Sequence, residues 1–293
     1  MSISFNIPTP LEKNSFRGLE FLIKRDDLIH HELSGNKARK IYYYLNRLKN
    51  NSDIKTIVSY GSIQSNAMYS LSYFAKEYGL KFYYYANHIP SLLKKYPRGN
   101  LKLALDNKMI LKEGYKNILK LDNALYIKEG IAQKEAYFGI KQLALELIEQ
   151  LGNKEYQIFL PSGTGTTALF LSKAFYEMGI NNIEVFTTPC VGSIDYLKEQ
   201  FRELEENETI YPNIVDTKKR YHFGKLYRDF YLLWLELHKK TSIEFDLLYD
   251  MKGWIAIFEN IDKFSNLVYI HQGGLIGNIS MLERYKRKYE DLK

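Results

Sequence analysis

Short apolar runs alternate along the chain with longer stretches in which apolar residues recur every three or four positions. The short runs predict β-strands at residues 20–24, 55–59, 81–85, 157–160 and 183–186. The longer stretches predict amphipathic helices at residues 38–48, 66–78, 134–151 and 167–178. Such alternation is typical of βαβ units, so we predict an α/β fold with a mostly parallel sheet covered by helices.

The length of 293 residues suits one large domain or two medium-sized ones. Residues 87–114 are interrupted by Pro90 and by Pro97-Arg98-Gly99-Asn100. We therefore predict a smaller, more mobile α/β domain over residues 51–151. Residues 1–50 and 152–293 are predicted to form the larger domain.

Charge and cysteine content argue against several classes of protein. The net charge is +7, but basic residues alternate with acidic ones, and the densest basic run, residues 284–288, suits a helix end. We expect no nucleic-acid partner. The single cysteine, Cys190, excludes an internal disulfide framework and indicates a reducing compartment. Without an apparent signal peptide or a run of 18 apolar residues, a soluble, cytoplasmic protein with no membrane contact is expected.

Lys37 ends a short polar turn, Ser34-Gly35-Asn36-Lys37, and begins a predicted helix. The positive end of the helix dipole disfavours a charged amine at this position. An amine that is held near neutrality is a good nucleophile for forming a Schiff base. The alternative is an ordinary solvated lysine, since the chain contains 41 lysine and arginine residues.

Two further polar loops each join a predicted strand to a predicted helix. The first, residues 60–66, contains Gln64, Ser65 and Asn66 at a helix N-terminus, which suits either a carboxylate ligand or a simple helix cap. The second, residues 161–168, has two glycines and several hydroxyl side chains, and predicts a phosphate site without a cationic side chain.

The second loop also matches the dinucleotide fingerprint in its Gly/Ala form, Gly163-x-Gly165-x-x-Ala168. Glu184 is the candidate ribose-binding acid. An NAD-dependent oxidoreductase is therefore one alternative, and an unspecific polar turn is another. No Walker A sequence or metal-ligand spacing is present, so no metal is expected.

Ligands of parallel sheets bind beyond the carboxyl ends of the strands, where these loops are able to meet. An imine-forming lysine, a phosphate site without metal and a loop for a carboxylate together favour pyridoxal 5'-phosphate (PLP) chemistry.

Five segments, in order, resemble the 1-aminocyclopropane-1-carboxylate (ACC) deaminase/D-cysteine desulfhydrase family. They are Lys24-Arg25-Asp26-Asp27 with Ser34-Gly35-Asn36-Lys37-x-Arg39-Lys40, Gly61-x-x-Gln64-Ser65-Asn66, Ser162-Gly163-Thr164-Gly165-Thr166, Tyr249-x-x-Lys252 and Tyr269-Ile270-His271-Gln272-Gly273-Gly274. The resemblance spans about residues 20–278. It implies the tryptophan-synthase-β (fold type II) architecture, with two open, mostly parallel twisted sheets covered by helices, and a homodimer.

The resemblance also implies roles for individual residues. Lys37 would bind the cofactor covalently and move the substrate proton, while Asn66 would bind the ring hydroxyl and Gln272 would lie near the pyridine nitrogen. The implied cofactor-binding residues are Lys37, Asn66, Ser162, Gly163, Thr164, Gly165, Thr166 and Gln272. The implied catalytic residues are Lys37, Ser65, Tyr249 and Tyr269, with Gln64 and Ser65 binding the substrate carboxylate.

The chain departs from the family pattern at Ala67, where His is common, at Met251, where Gly is usual, and at Gln272, where Thr or Leu is usual. We predict deamination of a small amino acid by elimination, as in D-cysteine desulfhydrase, giving a 2-oxo acid, ammonia and, from cysteine, sulfide. ACC deaminase is the main alternative, and a non-catalytic PLP or small-ligand binding protein is an alternative of another class.

Overall fold

A computed structural model describes residues 3–33, 35–50, 53–115 and 118–289. The strands in these ranges are β1 Leu11–Phe16, β2 Leu19–Lys24, β3 Thr56–Tyr60, β4 Lys81–Ala86, β5 Ile110–Glu113, β6 Ala124–Ile127, β7 Tyr156–Ser162, β8 Ile183–Pro189, β9 Asn213–Ile214 and β10 Leu267–Ile270. The helices are α1 Gly35–Asn50, α2 Asn66–Glu77, α3 Ser91–Lys95, α4 Gly99–Asp106, α5 Ala136–Leu151, α6 Thr166–Glu177, α7 Ile194–Arg202, α8 Arg228–Thr241, α9 Asp250–Glu259 and α10 Ile276–Lys288. None of these helices is long and apolar enough to cross a membrane.

The strands form two sheets. One has six strands in the order β1-β2-β10-β7-β8-β9, in which only the β1–β2 pair is antiparallel. The other has four parallel strands in the order β5-β4-β3-β6. The predicted α/β architecture with two open, mostly parallel sheets is therefore confirmed. Each predicted strand and helix corresponds to an element of the structure, whereas shorter elements such as β5, β6 and β9 were not predicted.

Two helices pack across the domain boundaries that the sequence suggested. The apolar face of α1, with Ile41 and Tyr44, belongs to the core around the four-stranded sheet. The apolar face of α5, with Leu143 and Leu147, belongs to a core that also contains strands of the six-stranded sheet. All strands of the smaller sheet lie between Thr56 and Ile127. The division into domains stays a prediction, and the packing indicates that α1 and α5 join the two sheets.

A buried ionic network anchors the first turns of α1. Arg39 on α1 is 2.8 Å from Asp26 and 2.5 Å from Glu146 of α5, and Lys24 at the end of β2 is 2.8 Å from Glu146. Thr9 adds a hydroxyl that donates to Asp26 at 2.8 Å. Burial by itself would raise the pKa of Glu146, but Arg39 and Lys24 hold that pKa below its ordinary value. The network therefore joins β2, α1 and α5 through fully hydrogen-bonded charges.

Replacing Glu146 by Gln should destabilise the protein strongly, because it leaves two buried cations with too little negative charge. We expect a loss of about 3–5 kcal/mol in the free energy of unfolding, measured by urea denaturation. The matched control is Glu208→Gln, which breaks an exposed pair with Arg202 and should cost at most about 1 kcal/mol. Equal losses in the two variants would contradict this role for the network.

Candidate active site

A cavity of about 600 Å³ lies between the two sheets, a size typical of sites for small molecules. It is lined by the first turn of α1 and by the loops that follow β3, β6, β7 and β10. The structure brings most of the sequence-predicted residues together around this cavity, namely Lys37, Gln64, Ser65, Asn66, Ser162, Gly163, Thr164, Gly165, Thr166, Tyr249 and Gln272. Ser34 lies outside the described residues.

Lys37 is the third residue of α1, and its amine donates to the side-chain oxygen of Asn36 at 2.8 Å. Burial lowers the pKa of Lys37 to about 8, against an opposing effect of the nearby charge of Asp246. We predicted a lowered pKa of Lys37 from the helix dipole, whereas the main physical cause in the structure is loss of solvation. The amine still lines the cavity, so a ligand can reach it.

Lys40 is a cavity-lining residue of the same helix to which no role was assigned from the sequence. Its side chain is buried, lines the cavity and donates to the Gly130 carbonyl at 3.0 Å. Burial and the neighbouring charge of Lys37 place the pKa of Lys40 well below the ordinary value. It forms no ion pair with a carboxylate of the described residues. The spacing of three between Lys37 and Lys40 puts both on one helix face, and that spacing was the available signal.

The loop after β7 leads into the N-terminus of α6 and lines the cavity with glycines and hydroxyl side chains. Gly165 adopts a left-handed conformation with φ +70°, and a Cβ there would lie 2.3 Å from the Phe201 ring, so only glycine fits. The hydroxyls of Thr164 and Thr166 are 3.0 Å apart. The hydroxyl of Ser162, unlike those of Thr164 and Thr166, is hydrogen-bonded within the sheet, 2.6 Å from the hydroxyl of Thr187.

The loop after β3 combines helix capping with a place in the cavity wall. The hydroxyl of Ser65 accepts hydrogen bonds from the backbone N–H groups of Ala67 and Met68, at 3.1 and 3.4 Å. The helix cap that the sequence predicted is therefore confirmed for Ser65, whereas the carboxylate ligand stays a prediction. Asn66 accepts a hydrogen bond of 2.7 Å from Asn100, while the side-chain amide of Gln64 donates to the Arg98 carbonyl at 3.1 Å.

Tyr269 lies behind the cavity wall rather than in it. Its ring is fully buried and stacks on Trp254 with centroids 4.8 Å apart. Its hydroxyl donates to Asp250 at 2.6 Å, and Asp250 is the side chain that lines the cavity. Tyr269 therefore does not face a ligand directly, in contrast with the role that the resemblance implied. Asp250 was not predicted as a site residue, although it lies inside the Tyr249-x-x-Lys252 segment.

Two buried carboxyl groups meet at the start of α9. Asp246 accepts hydrogen bonds from the backbone of Leu248 and Tyr249 at 2.8 and 2.7 Å, and its own N–H donates to Asp250 at 2.7 Å. Its second oxygen is buried without a hydrogen-bond partner among the described residues. Burial, followed by the charge of Asp250, raises the pKa of Asp246 well above the ordinary value. The turn places the Tyr249 ring in the cavity wall, where burial raises the pKa of its hydroxyl.

Gln272 is held by its neighbours on both ends of its amide. The amide nitrogen donates to the Pro161 carbonyl at 2.7 Å, and the oxygen accepts from Asn36 at 2.7 Å. Asn36 also accepts the hydrogen bond from Lys37, so Gln272 belongs to the same hydrogen-bonded chain as the lysine.

The geometry gives no support to the dinucleotide interpretation. Glu184 is the second residue of β8 and is exposed. β8 runs parallel to β7, so this acid lies near the edge of the sheet opposite the loop that follows β7. A ribose-binding acid should lie beyond the carboxyl end of its strand.

Comparisons with known proteins agree with this arrangement. The sequence profile of the family described as "Pyridoxal-phosphate dependent enzyme" matches residues 4–218. A Thermotoga maritima protein, provisionally named a 1-aminocyclopropane-1-carboxylate deaminase, is 25% identical over 94% of this chain and 97% of its own length. The bifunctional D-cysteine desulfhydrase/1-aminocyclopropane-1-carboxylate deaminase of Arabidopsis thaliana is 26% identical over 93% of this chain and 77% of its own.

Among solved structures, an ACC deaminase homologue superimposes with a TM-score of 0.77 at 20% identity. The superposition covers 97% of this chain and 94% of the homologue. The resemblance drawn from the five sequence segments is therefore confirmed, as is the fold that it implied.

Lys37 should react with amine-directed reagents at lower pH than an exposed lysine does. Only the neutral amine reacts, so reductive methylation of Lys37 in the cofactor-free protein should accelerate with pH and level off above about pH 8. A solvated lysine has a pKa of about 10.4, so its rate should still rise at pH 9–10. Site-resolved mass spectrometry, with exposed Lys198 as internal control, measures both rates. Parallel profiles would contradict the burial effect on Lys37.

Proposed function

The chain belongs to the pyridoxal-phosphate dependent enzymes, and from this premise we propose that it deaminates a small amino acid by elimination. D-cysteine is the substrate we favour, with pyruvate, ammonia and sulfide as products. The observation that carries the proposal is the convergence of Lys37 with an anion-binding loop on each side of one cavity. The relatives named for D-cysteine desulfhydrase and ACC deaminase support the reaction class.

The residues around the cavity fit the cofactor. Lys40 has a buried side chain with no carboxylate partner among the described residues. Its amine donates to the Gly130 carbonyl, and Gly130 in turn lies close to Thr164 of the loop after β7. A bound phosphate would favour the charged form of this amine, so Lys40 suits a phosphate at the N-terminus of α6. We assign the phosphate to residues 163–166 and Lys40, the covalent link to Lys37, and the ring surroundings to Asn66, Asp250 and Gln272. The bound cofactor supplies an electron sink for the carbanion at the substrate Cα.

The side chains then have separate tasks. The neutral amine of Lys37 takes the proton from the substrate Cα, which its lowered pKa favours near neutral pH. Gln64 and Ser65, just before α2, hold the substrate carboxylate. Tyr249 and the loop after β7 close the cavity wall around the reacting carbon. Loss of the Cα proton and of hydrosulfide from cysteine leaves 2-aminoacrylate, which water converts into pyruvate and ammonia.

The departures from the family pattern fall in two kinds of environment. Ala67 and Met251 are buried in the hydrophobic cores, so they act on the cavity only through packing. Gln272 lines the cavity and bonds to Asn36 beside Lys37. Opening the strained ring of ACC demands a more specialised set of residues, and the altered Ala67 and Gln272 give no support for it, so we favour elimination from cysteine. A homodimer and a cytoplasmic location stay predictions.

Removal of the Lys37 amine should abolish both covalent cofactor binding and turnover. We expect Lys37→Ala to lose the near-visible absorbance of protein incubated with PLP, while Lys198→Ala keeps it. D-cysteine, L-cysteine, D-serine and ACC are then added in turn to the wild-type protein while 2-oxo acid is measured. Fastest turnover with D-cysteine supports the proposal, and turnover of ACC alone would replace it by ACC deamination. Absorbance without turnover of any substrate would favour a binding protein.

Lys40 should recognise the phosphate rather than the ring of the cofactor. Lys40→Met should weaken PLP binding about 10-fold or more, because a hydrogen bond to a charged group contributes about 1.5–3 kcal/mol. Binding of pyridoxal, which lacks the phosphate, should change little. Lys128→Met, which removes an exposed cation from the cavity rim, is the matched control. Equal weakening of PLP and pyridoxal would contradict the assignment.

A further inference from the structure

The turn at residues 128–131, which follows β6, contacts three other segments of the candidate site: the loop after β3, the start of α1 and the loop after β7. It contains the short 3-10 helix Glu129–Ile131, and three of its residues, Lys128, Glu129 and Gly130, line the cavity. This turn belongs to the four-stranded sheet, whereas the phosphate loop belongs to the six-stranded one. The sequence motifs did not include it.

Glu129 fixes the loop that follows β3. Its carboxylate accepts a hydrogen bond of 3.0 Å from the backbone N–H of Ser62. The carbonyl of Ser62 in turn accepts from Tyr84 at 2.9 Å and from the backbone N–H of Ser65 at 3.1 Å. Holding Ser62 therefore holds the polypeptide that leads to Ser65, the first part of the loop assigned to the substrate carboxylate.

Gly130 contacts the other two segments. Its carbonyl accepts the hydrogen bond of Lys40, and its Cα lies against Thr164 of the phosphate loop. The residue has φ +66° and ψ 7°, and a Cβ there would lie 3.1 Å from the Cγ2 methyl of Thr164. Glycine thus permits both the left-handed turn and the close approach.

We propose that Glu129 and Gly130 are positioning residues of this site, which set the substrate loop and the phosphate loop at their working separation. The two loops follow strands of different sheets, so their spacing depends on contacts between the sheets rather than on local chain geometry. The turn supplies such contacts and aims Lys40 at the same time. The part played by Glu129 rests on the proposed deamination, whereas that of Gly130 rests only on cofactor binding.

For Glu129 the comparison is between Glu129→Ala and Glu129→Gln. The alanine variant loses the acceptor for Ser62 and should raise KM for the amino acid about 10-fold with kcat within about 3-fold, as expected for a loss of uniform binding. The glutamine variant keeps an acceptor oxygen and should restore KM to within about 3-fold of wild type. PLP affinity should stay unchanged in both.

For Gly130 the comparison is between Gly130→Ala and Gly179→Ala. Gly179 has a similar φ of +68° but open space around its Cα, so its variant shares the backbone strain without the new contact. Both should lower the melting temperature, but only Gly130→Ala should weaken PLP binding, about 10-fold by fluorescence titration. Adding Thr164→Ser, which removes the methyl that the new Cβ meets, should recover most of the PLP affinity.

Each comparison also has an outcome that would overturn the proposed role. Equal KM increases in the two Glu129 variants would show that the charge acts rather than the acceptor, and would overturn the role of Glu129. Equal PLP affinity in the Gly130 and Gly179 variants, or no recovery in the Thr164→Ser double variant, would overturn that of Gly130. If the wild-type protein binds PLP but turns over no amino acid, the proposed deamination fails while the Gly130 comparison still gives its answer.

Discussion

The burial of two lysine amines on one face of α1 is the constraint on which the rest of the site depends. Lys37 and Lys40 lie one helical turn apart, and removal from solvent lowers the pKa of each. Holding amines in this way costs free energy unless other groups fix the helix and complete their hydrogen bonds. Asn36 and the Gly130 carbonyl provide the direct partners, and the site is built around their positions.

The opposite side of α1 carries a buried ionic network that stabilises the helix and so offsets the cost of burying the two amines. Arg39 lies two residues from Lys37, so it points away from the cavity, into the network with Asp26 and Glu146. That network ties α1 to β2 and α5, and α1 also packs on the smaller sheet. A helix fixed on both sides can present buried amines to a ligand without turning them toward solvent. The same helix therefore contributes to the stability of the fold and holds Lys37 in the cavity wall.

The loops after β3 and β7 belong to different sheets, and this arrangement suits the proposed cofactor enzyme. In that proposal, residues 163–166 bind the phosphate at one end of the cavity, and Gln64 and Ser65 bind the substrate carboxylate at the other. Contacts between the two sides include the approach of Gly130 to Thr164, the Asn36–Gln272 hydrogen bond and the Arg98–Glu283 ion pair. The separation of the two loops therefore depends on contacts between residues that are distant in the sequence.

Local patterns were sufficient for much of this protein. Hydrophobic periodicity predicted the main helices and strands, and the polar loops after β3 and β7 were recognised because turn residues and helix starts act over a few positions. Lys37 was singled out from the sequence because it also lies where a polar turn leads into a helix. Only the tertiary structure determines the contacts made by four residues of the site region, namely Lys40, Glu129, Asp250 and Tyr269. Lys40 meets Gly130 across 90 positions, and Tyr269 meets Asp250 only because β10 and α9 pack together. The order of strands in the sheets determines which distant residues come into contact, and that order cannot be read from a short stretch of sequence.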